Sequence, residues 1–257
     1  MNIILITGAS SGIGMEFAMQ MDNYFTNIDE FWLVARSRDK LEEVAKVLQH
    51  KTRIFDMDVT EDISLEQLLG ALEAHHGVVR ILINAAGYGL MGEFASQDRE
   101  SALGMVRLNC EALTNVTHRL LPYMRKNSRI IQLASSAAFL PQPDFAVYAA
   151  TKSYVLSFSR ALGAELKKRG IYVTSVCPGP VDTPFFDIAE RTGTTLRVKK
   201  YTMVSADRVV ELALRDSFHK KTLSVCSLPI KAFQAAGKFL PHDFLLAFVM
   251  VMKKLKL

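Results

Sequence analysis

Short runs of β-branched and aliphatic residues take turns with longer stretches whose apolar positions recur at helical spacing, from the first residues to about position 228. The runs at 3–7, 31–35, 53–56, 80–84, 129–134, 172–177 and 222–226 predict strands, and the stretches at 41–48, 65–74, 101–124, 148–168 and 206–216 predict helices. The strands show almost no polar alternation, as strands covered on both faces do, and a helix between successive strands makes their pairing parallel. The pattern therefore predicts an α/β fold, a doubly wound parallel sheet with helices on both faces, in a single domain. Residues 1–228 form its body, and residues 229–257 form an apolar, basic C-terminal appendage.

Composition narrows the classes. With 257 residues, 49% hydrophobic and 22% charged, the chain is neither a disordered tail nor collagen-like. Its net charge of +5 would suit an anionic polymer as partner, but five lysines (Lys231, Lys238, Lys253, Lys254, Lys256) against Asp243 place +4 of it in residues 229–257. A nearly neutral body argues against nucleic acid as a partner. Three dispersed cysteines, Cys110, Cys177 and Cys226, form no C-x-x-C pair, so a reducing, cytoplasmic setting is expected. The chain enters a strand at once, with no basic leader, and no signal or transit peptide is expected. The longest apolar run, 244–252, falls far short of the ~20 residues that span a bilayer.

Chemistry enters after the first strand, at Thr7-Gly8-Ala9-Ser10-Ser11-Gly12-Ile13-Gly14. Glycines between a strand and a helix allow a tight turn and let a phosphate reach backbone N–H groups at the helix N-terminus, where the dipole favours an anion. The second strand ends in Ala35-Arg36-Ser37-Arg38, with no carboxylate before Asp39. Such a turn suits a ribose 2′-phosphate better than a free 2′-hydroxyl, which favours NADP(H) over NAD(H). A solvated basic turn is the plainer alternative.

Tyr148 and Lys152 form the chain's one Tyr-x-x-x-Lys, four apart and so on one helical face. A tyrosine hydroxyl is a poor acid–base group at neutral pH, and a neighbouring ammonium would lower its pKa. Ser135 and Ser136 close the preceding strand, where either could offer a hydroxyl.

Taken together, these residues resemble the short-chain dehydrogenase/reductase family. The likeness rests on Thr7-Gly8-x-x-x-Gly12-x-Gly14, Asp58-Val59-Thr60, Asn84-Ala85-Ala86-Gly87, Asn109, Ser136, Tyr148-x-x-x-Lys152 and Pro178-Gly179-Pro180-Val181-x-Thr183, in this order. It implies a Rossmann fold with a seven-stranded parallel sheet in the order 3-2-1-4-5-6-7. It also implies that Tyr148 exchanges a proton with the substrate oxygen, that Lys152 binds the nicotinamide ribose, and that Asn109 holds a water for proton resupply. Gly8, Ser10, Ser11, Gly12, Ile13, Gly14, Arg36, Ser37, Arg38, Asp58, Val59, Asn84, Ala85, Ala86, Gly87, Pro178, Gly179, Val181 and Thr183 would join Tyr148 and Lys152 in holding the cofactor. The family's usual spacing to the tyrosine selects Ser135, whereas its Ser-Ser context selects Ser136; strand alternation favours Ser136 as the catalytic serine.

The substrate side is less patterned. Phe185, Phe186, Ile188, Leu196 and Tyr201 in 184–202 suggest a lid over an apolar ligand, with Leu90, Met91, Phe94 and Phe139 as further wall. His75 and His76 read as a helix end and Cys177 as a packed thiol; no metal is expected. The leading expectation is an NADP(H)-dependent reductase of an apolar ketone, such as a steroid, a fatty-chain or a xenobiotic carbonyl. Its rival is a catalytically idle NADP(H)-binding sensor or scaffold. A homodimer or homotetramer is expected, with the tail packed on the cleft or a partner subunit, or with residues 241–257 against an anionic membrane.

Overall fold

The computed structural model describes residues 1–195 and 202–254. Seven parallel strands pair in the order β3-β2-β1-β4-β5-β6-β7. They are β1 (Asn2–Thr7), β2 (Glu30–Ala35), β3 (Thr52–Asp56), β4 (Val78–Asn84), β5 (Arg129–Leu133), β6 (Tyr172–Val176) and β7 (Leu223–Ser224). The doubly wound sheet expected from the alternation is present, in the strand order the family likeness implies. Ile3, Ile4, Leu5 and Ile6 are fully buried, and the first and third of these pack into a different cluster from the second and fourth. Continuous apolar character in β1 thus reflects helices on both of its faces.

The flanking helices are α1 (Gly12–Tyr24), α2 (Arg38–Val47), α3 (Asp62–Ala74), α4 (Arg99–Val106), α5 (Leu113–Leu120), α6 (Ala146–Leu166), α7 (Phe185–Ala189) and α8 (Ala206–Phe218). Two more, α9 (Leu228–Phe239) and α10 (His242–Lys254), follow the sheet. The single helix expected over 101–124 is interrupted by a π-helical turn at Arg107–Ala112. Side-chain periodicity is nearly blind to such a turn, because one extra residue shifts the apolar face without erasing it.

A buried polar anchor sets β2 against β3. Glu30 is 2% exposed and accepts hydrogen bonds from the Trp32 indole (2.9 Å) and Arg53 (3.2 Å), while Lys51 lies 2.6 Å away. Burial alone would raise this carboxyl, but the three partners hold it at about 2. Trp32 is fully buried, with the Arg53 guanidinium 5.4 Å from its ring centre. The register fixed here carries through β2 to the turn at Arg36.

The tail is not a loose appendage along its whole length. Ile230 of α9 is 7% exposed and joins a core cluster with Leu113, Val155 and Cys177. Phe233 meets Phe139 with ring centres 6.5 Å apart.

Candidate active site

The carboxyl ends of the central strands open onto one cleft of about 1420 Å³. In a parallel sheet of this order, β1 and β4 lead their helices to opposite faces, and the crevice between them is where ligands settle. The glycine turn forms its floor. Gly8 has φ of +69°, and a Cβ there would lie 2.7 Å from the Ala86 nitrogen; a Cβ at Gly14 would lie 2.2 Å from the Gly8 carbonyl oxygen. Side chains at either position would push apart the backbone that makes the floor. Ser11 caps α1 without a side-chain hydrogen bond to the helix, so its hydroxyl does not satisfy the first-turn N–H groups. Ser10, Ser11, Gly12 and Ile13 all line the cleft. This uncapped helix start beside a glycine floor fits the pyrophosphate of a dinucleotide.

Beyond it, Arg36 and Ser37 line the cleft and Arg38 does not. Arg38 turns back to Glu42 (2.9 Å) and Asp56 (3.2 Å), the first an i,i+4 pair on its own helix, and in this structure it anchors the start of α2. Lys40, overlooked in the sequence, takes a place in the wall. The Arg36 side chain is 80% exposed, its guanidinium 4.0 Å from Asp58. Met57, Asp58, Val59 and Thr60 follow β3 into the wall, with Asp58 accepting from the Thr60 backbone N–H (2.9 Å) and hydroxyl (2.7 Å).

Ala85, Ala86 and Gly87 line the cleft after β4, but the Asn84 side chain turns inward. Its amide donates to Thr117 Oγ1 (2.9 Å) and Gln132 Oε1 (3.0 Å), tying β4, β5 and α5 together beneath the site. Asn84 therefore supports the cleft from below. Asn109 sits in the π-helical turn, 1% exposed and behind the wall. It accepts from the Tyr88 N–H (3.1 Å) and donates to the Tyr88 carbonyl (2.9 Å) and Thr151 Oγ1 (3.0 Å). That pair of backbone bonds holds the 85–88 segment, and a Cβ at Gly87 would meet Asn109 Oδ1 at 2.9 Å.

At the inner end of the cleft α6 presents Tyr148 and Lys152, 7% and 5% exposed. Lys152 Nζ donates to the Leu133 carbonyl (2.7 Å) and stands 5.6 Å from the Tyr148 ring centre. Burial pushes the phenol up to about 12, against the lowering pull of the Ser135 hydroxyl, and pushes the Lys152 ammonium down to about 8. The sequence expectation had the ammonium lowering the phenol. In the folded chain burial raises the phenol, and the Lys152 ammonium is not among the groups that shift it.

Both serines line the cleft, and Ser135 is the one whose side chain acts on the Tyr148 phenol, lowering it. β5 ends at Leu133, so the strand alternation that favoured Ser136 does not extend to the serines. Ser135 is extended and caps a short 3₁₀ turn, its hydroxyl accepting from the Ala137 N–H (3.1 Å). Ser136 opens that turn, and its N–H is spent on the Pro178 carbonyl (2.8 Å). This bond draws in the segment of Pro178, Gly179, Val181 and Thr183, all of which line the cleft.

Aromatic side chains close the far side. Phe145 stacks on Tyr148 at 4.3 Å, Phe185 lies 5.4 Å from Tyr148, and Phe186 meets Phe185 edge-on at 5.5 Å. Phe186 and Ile188 line the cleft as expected; Leu196 and Tyr201 lie outside the described residues. Leu90 and Met91 pack behind the wall, Phe139 packs against α9, and Phe94 is 67% exposed. Tyr88, Leu140 and Phe145 supply wall in their place, as do Pro229, Ile230, Phe233 and Val249 from α9 and α10. Phe145 stands at the N-cap of α6, before the helix expected from the sequence, and neither it nor the contribution of α9 and α10 had a local signal.

A Rossmann-type sheet with a glycine floor and a Tyr–Lys–Ser cluster defines a nucleotide-dependent oxidoreductase class. Comparison with known proteins agrees. A family model described as short chain dehydrogenase matches residues 2–192. An uncharacterised oxidoreductase of Staphylococcus epidermidis is 34% identical over 230 residues, covering 89% of this chain and 97% of that protein. A very-long-chain 3-oxoacyl-CoA reductase of Coprinopsis cinerea is 34% identical over 185 residues, 67% of this chain and 52% of that one. Among solved structures, a short-chain dehydrogenase from Sphingobium yanoikuyae in complex with NADPH superposes with a TM-score of 0.77 at 27% identity, covering 98% of this chain and 96% of that chain. The chain belongs to the short-chain dehydrogenase/reductase family.

Proposed function

We propose that the protein is an NADP(H)-dependent oxidoreductase that interconverts an apolar ketone and the corresponding secondary alcohol. The observation that carries this reading is the cluster of Tyr148, Ser135 and Lys152 lining the inner end of one cleft, with Lys152 Nζ 5.6 Å from the Tyr148 ring centre. The nicotinamide, when bound, supplies or accepts the hydride. Tyr148 gives its proton to the ketone oxygen in reduction and takes it back in oxidation. Ser135 Oγ, held by the Ala137 N–H, donates to the same oxygen as charge develops on it. Lys152 orients the cofactor ribose, and Asn109 holds the backbone between Gly87 and Tyr88 from behind.

Preference for the 2′-phosphate is supported by Arg36 and Lys40 in the wall, with no acidic residue at the end of β2. The ring contacts of Phe145, Phe185 and Phe186 around Tyr148 support an apolar carbonyl rather than a charged one. The idle-binder alternative leaves this cluster without a use. A homodimer or homotetramer would have Leu103, Val106 and Tyr154, exposed on α4 and α6, to cover.

The test is cofactor oxidation against a panel of bulky ketones. NADPH should be used in preference to NADH, and Tyr148→Phe should lower kcat by roughly 10²–10⁴-fold with NADPH still bound. Retained turnover in that variant would overturn the mechanism.

A further inference from the structure

The two C-terminal helices have two apolar sides, and only one is used by the fold. Inward, Ile230, Phe233 and Val249 face the core or the cleft. Outward, Phe239 is 76% exposed, Phe244 64% and Val251 54%, with Leu240 and Met250 above 40%. Phe244, Ala247 and Val251 follow the i, i+3, i+7 spacing and form one outer face of α10. Large side chains are rarely left in water as a contiguous group unless something covers them.

The charge of the same segment says what the cover is. Residues 229–257 carry five lysines against one aspartate, so nearly all of the chain's net charge of +5 is gathered here. Lys231 and Lys238 are exposed, and Lys238 Nζ lies 5.4 Å from the Phe239 ring, cationic head beside aromatic face. A second copy of the chain is a poor cover, because a two-fold interface would bring the same basic patch against itself. A negatively charged apolar surface satisfies both halves of the patch. No helix among the described residues is long and apolar enough to cross a membrane, and α10, at 13 residues, is about 20 Å long against a hydrocarbon core of about 30 Å.

We infer that α9 and α10 dock the protein on an anionic lipid bilayer, lying in the interface with Phe239, Phe244 and Val251 toward the acyl chains and Lys231 and Lys238 among the headgroups. The docked helices are also cleft wall, through Phe233 and Val249, so the apolar side of the site stands one helix away from the lipid. The docking is carried by the surface alone and stands or falls independently of the ketone assignment.

The experiment is co-sedimentation of the full chain with phosphatidylcholine vesicles, with and without phosphatidylglycerol. Binding is expected to the anionic vesicles, at least about tenfold weaker to the neutral ones, and released by added salt. Lys231→Glu with Lys238→Glu should weaken it by roughly fivefold or more per lysine. Phe244→Glu with Val251→Glu should abolish it, with the melting temperature monitored as the check on folding. Absence of binding by the unaltered chain, or binding indifferent to salt and lipid charge, overturns the proposal and needs no variant. So does a concentration-dependent dimer that Phe244→Glu dissolves in a protein that ignores vesicles.

Discussion

The two halves of the cleft are built from different material. On the cofactor side the surface is largely main chain: the turn at Gly8–Gly14, the segment Ala85–Gly87 and the loop at Pro178–Thr183, all at strand ends. On the substrate side it is largely side chain, from Phe145, Phe185, Phe186 and two helices that follow the sheet. A backbone surface depends on residues that are absent, the missing Cβ atoms of glycines, and tolerates almost no change. A side-chain surface can be re-cut one residue at a time while the fold beneath it stays as it is. The first half is therefore general to a cofactor and the second particular to a substrate.

The largest expected effect lies on the backbone side. Gly14→Val puts a branched side chain where even a Cβ would sit 2.2 Å from the Gly8 carbonyl, and cofactor affinity should fall by more than about 100-fold in a fluorescence titration. At the seam between the halves, Ser135→Ala should cost roughly 10²–10³ in kcat, whereas Ser136→Ala should stay within a few-fold. The reverse order would return the role to Ser136. The smallest effect belongs to the side-chain half: Phe233→Ala should change KM for bulky ketones by roughly tenfold or less, with cofactor KM unchanged. A matching change in cofactor affinity would erase the division between the halves.

The same contrast explains what the sequence made legible. The sheet could be read from Ile3, Leu5, Phe31 and Ile83, because burial on both faces leaves an unmistakable run. Gly8, Gly12 and Gly14 were readable because a special backbone needs a special residue. Arg38 and Asn84 were less legible, since residue type near a site does not say which way the side chain turns; here one meets a carboxylate on its own helix and the other a glutamine in the interior. Ser135 and Ser136 differ only in which side of a 3₁₀ turn they occupy, a matter of where β5 stops. Phe233 and Val249 reach the cleft by long-range packing of α9 and α10, and no local pattern encodes that.

Trp32 has a use beyond its place in β2. It is the chain's one tryptophan, sealed from solvent with its indole N–H on a carboxylate, so its emission comes from a single environment. Four residues along the same strand direction, about 13 Å on, stands Arg36 at the wall of the cleft. A reduced nicotinamide absorbs where indole emits. The protein thus offers an optical ruler: loss of the core should shift the indole colour, while a reduced dinucleotide seated in the cleft should dim it, so that the two events are told apart in one cuvette without a label.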